Sequence, residues 1–192
     1  MRWRHLIFNT KGTWLHGDQR GFRNRRHRIH SSGDYKHPPP RGEHANLLLY
    51  MKDRSSGEVT IPYASRAVIG RAIVGYLQSM GLRVLAVAIA KVHGHALVEL
   101  KDDIRVVKFF MGELKRKSSR AVKKELPGSV WSAGGQPEPV DTPSHLRAAH
   151  DYIIYDQGAG AWTWSYKDAT LDGVYARQRP AQLARTKNPG WR

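Results

Sequence analysis

The chain has 192 residues and carries 32 Lys and Arg against 16 Asp and Glu, a formal net charge of +16. That excess points to a polyanionic partner, nucleic acid ahead of an acidic membrane surface, and the length allows one sizeable core. Cysteine is absent, which excludes disulfide scaffolds, thiolate zinc sites and cysteine nucleophiles.

The start, MRWRHLIFNT, has no signal-peptide core, and the longest apolar run, residues 84–90, is too short to cross a bilayer. A soluble, cytoplasmic, nucleoid-associated protein with no membrane partner is therefore expected. Partial alternation predicts a strand over residues 3–10. TKGTWLHGDQRGF follows, its glycines 12, 17 and 21 reading as turns or close backbone approaches. Residues 20–30 hold five arginines and no acid, and a triple proline marks the next stretch, so residues 19–44 read as a basic, proline-containing insertion loop. Extended structure is expected around residues 46–51 and 59–63.

A helix is predicted over residues 65–80, with Ser65 as N-cap, Ile69, Ile73, Tyr76 and Met80 on one face, and Gly81 just past its end. RVLAVAIAKVHGHALVEL reads as two apolar strands broken near Lys91, the second over residues 93–100. A long amphipathic helix is predicted over residues 103–126. Its buried stripe is Ile104, Val107, Met111, Leu114, Ser118 and Val122, and eight basic residues cover much of the rest. A further helix spans residues 144–157, capped by Ser144, and residues 161–192 read as a basic, tryptophan-dotted tail after a domain of residues 1–160. The order β, α, β, β, α, α points to an α/β sandwich with a mostly antiparallel sheet and helices on its faces.

Two constellations carry chemistry. In His93-Gly94-His95 the two imidazoles point the same way from a strand and can share one ion, although two histidines packed in a sheet are the commoner case. In HLRAAHDYIIYDQ, residues 145–157, Tyr152 and Asp156 stand one helical turn apart. A phenol beside a metal carboxylate is a workable nucleophile for phosphodiesters, although a helical tyrosine is more often a core residue. Arg20, Arg23, Arg25, Arg26 and Arg28 form a run that can follow a DNA backbone, with Phe22 available to stack a base. Lys115, Lys117 and Arg120 project from the long helix, and some of them are expected to contact phosphates. Trp131, Trp162 and Trp164 are candidate stacking platforms, although packing under a loop is the commoner case for tryptophan.

Taken together these segments resemble the single-tyrosine HUH transposases, including the REP-associated tyrosine transposases. RVLAVAIAKVHGHALVEL is similar to that family's strand pair, with a His-hydrophobic-His motif opening the second strand, and LKRKSSR to its basic helix. TKGTWLHGDQRGF resembles the signature after the first strand in one branch, and DYIIYDQ the tyrosine helix. The resemblance covers residues 3–160 as ordered islands. It implies a ferredoxin-like α+β fold and a catalytic Mg²⁺ or Mn²⁺ held by His93 and His95. The third ligand would be Asp156 or Gln157. It also implies that Tyr152 attacks single-stranded, hairpin-bearing DNA to leave a 5′-phosphotyrosine, and that a homodimer is one available assembly. Gly94 stands where the family has a hydrophobic residue, and Ala90-Lys91-Val92 where it has Met-Pro-Asn. Two alternatives stand beside this expectation: a non-cleaving hairpin-binding protein, and a metal nuclease that uses water.

Overall fold

The structure, a computed structural model, describes residues 1–19, 22, 37, 40–55 and 57–180. They divide into two compact units, one of residues 1–10 and 60–180 and the other within residues 11–59. Among the described residues no helix is long and apolar enough to cross a membrane.

In chain order the elements are β1 (Arg2–Asn9), α1 (Ala45–Arg54), α2 (Tyr63–Ser79), β2 (Val84–Ile89), β3 (His93–Leu100), α3 (Ile104–Ala121), β4 (Gln136–Val140), α4 (Pro143–Tyr155), β5 (Trp162–Ser165) and β6 (Val174–Tyr175). The first unit is built on a six-stranded sheet of order β4-β1-β3-β2-β5-β6, antiparallel at every pairing. Its β1-α2-β2-β3-α3-β4 portion, with strands ordered 4-1-3-2, is the ferredoxin-like split βαβ arrangement. The fold is α+β, as expected. The sequence reading did not find β4, where two prolines break any alternation. Residues 162–175, expected in a tail, supply β5 and β6; Trp162 and Trp164 are buried in a strand paired to β2.

Strand alternation gives the sheet two distinct faces. Phe8, Gly94, Ile89 and Trp162 lie abreast across β1, β3, β2 and β5, and the Trp162 ring lies against Gly70 of α2. On this face α2 and α3 pack together and bury Ile69, Ile73, Leu77, Val107 and Leu114 completely. The opposite face carries Ala86, Ala88 and Leu97, which form a cluster with Ala149, Ile153 and Ile154 of α4. His5, His93 and His95 share that second face by register, His95 lying opposite Ile7 and His93 opposite Asn9.

Several element ends differ from expectation for local reasons. α2 starts at Tyr63 because Pro62, with φ fixed at −57°, opens the helix and has no N–H to leave unpaired; Ser65 is a buried residue inside the helix rather than its cap. α3 is capped by the Asp103 carboxylate, which accepts from Arg105 N at 2.8 Å, and ends at Ala121 rather than near residue 126. Of its expected stripe, Ile104 is exposed and the others are buried. α4 is capped by Thr142, whose hydroxyl accepts from His145 N at 3.1 Å, so Ser144 is not its cap.

In the second unit, residues 45–54 are the helix α1 rather than an extended segment. A short apolar run does not distinguish strand from helix by period, and Leu, Met, Lys and Arg favour the helix. Residues 59–62 form no strand; Val59 N bonds Lys11 O, and in the first unit Ile61 N bonds Lys91 O. Phe22 is not presented for stacking on a base. It is buried between His16 and His44, with ring centroids 5.6 and 5.1 Å away.

Gly94 departs from the family pattern because its space is already filled. A Cβ there would stand 2.5 Å from the Phe8 ring and 3.1 Å from Ile89 Cδ1. Phe8 from the neighbouring strand supplies the apolar volume, and the backbone at Gly94 is ordinary strand. Gly94→Ala should therefore destabilise by ~1–3 kcal/mol through overpacking. In urea unfolding, Phe8→Leu combined with Gly94→Ala should lose less than the two single losses added; full additivity would show that Phe8 is not the obstacle.

Candidate active site

The buried face under α4 collects three histidines, a tyrosine and an amide. His95 is 3% exposed, and its Nδ1 lies 2.9 Å from Nε2 of His5, itself 1% exposed. His93 and His95 rings meet edge to face at 5.1 Å, and the Tyr152 ring stands edge-on to His95 at 5.6 Å and to His5 at 6.1 Å. Tyr152 is held there because Ile153 and Ile154 of α4 anchor in the sheet-face cluster.

Gln157 closes the site. α4 ends at Tyr155 with Asp156 as C-cap, so the chain turns at this point. The Gln157 amide Nε2 donates to Tyr152 O at 2.9 Å, which orients Oε1 toward His93 Nε2 at 3.0 Å. Asp156 goes elsewhere: its carboxylate accepts from Arg179 at 2.7 Å. Of the two expected third ligands, the structure brings Gln157 to the histidines and does not bring Asp156.

Burial sets the charge state. Desolvation holds His93 and His95 below the usual imidazole range, with neighbouring imidazoles adding to it at His95, and pushes His5 down to about 4. The imidazoles are neutral at pH 7. A neutral imidazole keeps one lone pair; His93 Nε2 donates to the Gln157 oxygen here, so it takes a ligand only once its proton moves to Nδ1. His95 Nε2 is buried and makes no hydrogen bond of good geometry among the described residues, although the Gln157 side chain is close enough to act on the ring. Those residues contain no converging group of three His, Cys, Asp or Glu side chains. A cation here therefore depends on a mixed set, the two imidazoles and the Gln157 amide oxygen. That set fits a hard or borderline divalent ion, and the orphaned His95 nitrogen is the atom such an ion would satisfy.

The expected DNA-binding residues separate. Arg20, Arg23, Arg25, Arg26 and Arg28 lie outside the described residues. Lys115 donates to the Ser132 and Gly134 carbonyls, and burial lowers it to about 8, so it clips a loop to α3. Lys117 lies over the Tyr76 ring at 5.6 Å. Arg120 lines a cleft of about 580 Å³ with Lys115, Arg116, Lys123, Ser129 and Trp131, and no acid is among its lining residues. Trp131 is 4% exposed and donates to Ser118 Oγ at 2.9 Å, so it packs. Ser132 of the same loop bonds Asn9 O at the end of β1, opposite His93, so the cleft lies at the histidine end of the sheet.

Residues 59–155 match the family model described as "Transposase IS200 like", half of the chain. The chain belongs to the IS200-like transposase family. The match contains His93, His95 and Tyr152 but stops before Gln157 and leaves out β1, which carries His5. A solved REP-associated tyrosine transposase bound to a REP hairpin is 16% identical, with a TM-score of 0.41, 80% of this chain covered and 64% of that chain. The chain thus spans less than two thirds of that relative's length. No curated protein matches it.

His5 was missed in the sequence reading. The available signal was a histidine in the apolar strand RWRHLIFN, at a position alternation turns to one face with Trp3 and Ile7.

These neutral histidines make the fold sensitive to acid when no cation is bound. The unfolded chain takes up a proton on each near pH ~6.5, whereas folded His5 does so only at about 4. Stability from this source is fully present above pH ~6.5 and is lost as pH falls toward 4, by up to ~1.4 kcal/mol per pH unit per histidine. In chelator, urea midpoints should fall steeply across this window and less steeply in His5→Leu; equal slopes would contradict the burial argument.

Proposed function

We propose that this IS200-like transposase cleaves and rejoins single-stranded, hairpin-bearing DNA through Tyr152. The observation that carries the reading is the Tyr152 ring, 5.6 Å from His95 on the face shared with His93 and Gln157. The tyrosine and the histidines of one chain lie together, which supports a site formed within a single subunit. The cationic cleft and the net charge of +16 support a DNA partner, and that partner fits a cytoplasmic, nucleoid-associated protein.

In the proposed cleavage the Tyr152 phenolic oxygen bonds to phosphorus and the bond from phosphorus to the 3′ oxygen breaks. The phenol loses its proton and the 3′ oxygen gains one, leaving a 5′-phosphotyrosine and a free 3′-OH with no change in oxidation state. Rejoining is the reverse, with a 3′-OH attacking the phosphotyrosine. His93, His95 and Gln157 would hold Mg²⁺ or Mn²⁺, which when bound supplies polarisation of the phosphate and of the phenol, whose ordinary pKa is about 10. The Gln157 amide ties the ligand set to the backbone of the nucleophile itself, through Tyr152 O.

A denaturing gel with labelled hairpin-flanked single strands and Mg²⁺ or Mn²⁺ tests the reading. Wild type should form a covalent adduct, Tyr152→Phe should form none while still binding DNA, and His93→Ala with His95→Ala should lose metal-stimulated cleavage. Cutting without an adduct would point to water as nucleophile; tight binding with neither would point to a non-cleaving hairpin binder. For the cleft, Arg120→Ala with Lys123→Ala should weaken binding across all sequences. It should also flatten the dependence of log K on log salt by about 0.7 for each phosphate that the variant no longer neutralises. An unchanged slope would remove the cleft from the DNA path.

A further inference from the structure

His5 has no part in the proposed ligand set, yet it is a polar side chain buried in the middle of the sheet next to it. Such a group is costly unless it is bonded, and its one described hydrogen bond is to His95. The two rings are tilted 36° with centroids 5.1 Å apart, and their bonded nitrogens are His5 Nε2 and His95 Nδ1. Two neutral imidazoles share a single proton across such a bond. If His5 donates, the His95 proton sits on Nε2 and that nitrogen has no lone pair. If His95 donates from Nδ1, Nε2 keeps its lone pair; His95 Nε2 and His5 Nδ1 are the two ring nitrogens of the pair left without a partner among the described residues.

We propose that His5 is a positioning residue for the metal site. By accepting from His95 Nδ1–H it fixes the tautomer and ring orientation that leave His95 Nε2 as a donor. The inference rests on the ligand set proposed above, and it extends that set onto β1. Histidine ligands commonly give their second N–H to a carboxylate or a carbonyl; here another imidazole takes that place, with its own proton on Nδ1. Register makes the pairing possible: His5 is two residues from Ile7, which lies opposite His95, so the two histidines are diagonal neighbours on one face.

Two readouts test this, one without any metal. In metal-free, ¹⁵N-labelled wild type, long-range ¹H–¹⁵N spectra should show the His95 proton on Nδ1. A proton on Nε2 would overturn the proposal whatever the enzyme does. For the second, Mn²⁺ affinity is measured by titration on wild type and variants. His5→Leu, which removes the acceptor and a buried polar group, should bind Mn²⁺ about 10–100-fold more weakly. His5→Gln, whose amide oxygen can accept the same proton, should recover most of that loss. Wild-type affinity in His5→Leu would overturn the role of His5 while leaving the ligand set intact. Wild-type affinity in His93→Ala with His95→Ala would overturn the ligand set, and the role of His5 with it.

Discussion

The pairing of β1 with β3 is the constraint on which the site depends. Ile7 opposite His95 sets which residues of two strands face α4, and side chains alternate with period two. A slip of one residue would turn His5 to the face of α2 and α3 and bring Leu6 beneath α4. Nothing in the site's own polar contacts is strong enough to hold that register. A hydrogen bond between neutral imidazoles contributes about 1 kcal/mol net, and the burial of three such rings opposes folding.

The register is held from the other side of the sheet. Phe8 occupies the space where a Gly94 side chain would be, packs edge-on to Trp131 at 4.7 Å, and sits abreast of Ile89 and Trp162. Leu6, Phe8, Ala96 and Val98 are all fully buried on that apolar face. A slip of one residue would take Leu6 and Phe8 out of this packing, at roughly 1.5–3 kcal/mol for each large side chain, more than the polar face gains from the correct alignment. The glycine between the histidines is thus the place where the packing face and the site meet. It lets an aromatic ring from β1 cross under β3, and the same strand then delivers His5 beside His95.

How much could be read in advance follows from this division. The strand pair over residues 84–100, the helices over α2, α3 and α4, and the histidine pair are local patterns of apolar period and spacing, and they stood in the sequence. β4 and β5 depend on long-range pairing and carry little local signal: β4 reads Gln-Pro-Glu-Pro-Val, and β5 has four residues. α1 was misread because its apolar run is too short for period to decide, and none of its residues is buried. In the site, Tyr152 and the histidines were legible by type and spacing. The choice between Asp156 and Gln157 was not, because it turns on where α4 stops. With Asp156 as the cap its side chain reaches Arg179, and the next residue reaches back to His93. His5 stood in the sequence only as a histidine on one face of β1, and the β1–β3 register alone gives it a partner.

The diversion of Asp156 to Arg179 also shapes the electrostatics of the proposed site. His93, His95 and Gln157 offer donors without formal charge, and burial keeps the imidazoles neutral. A carboxylate ligand would cancel half the charge of a divalent ion; this set cancels none of it. The anionic ligands would then have to come from the phosphate oxygens of the substrate, which the cationic residues of the neighbouring cleft are suited to draw in. Charge on such a chain is therefore divided by location. Arginines and lysines at the surface gather a polyanion over a Debye length of about 8–10 Å, while the buried face keeps its donors neutral, so that attraction there is for the reacting phosphate and not for a side chain of the protein.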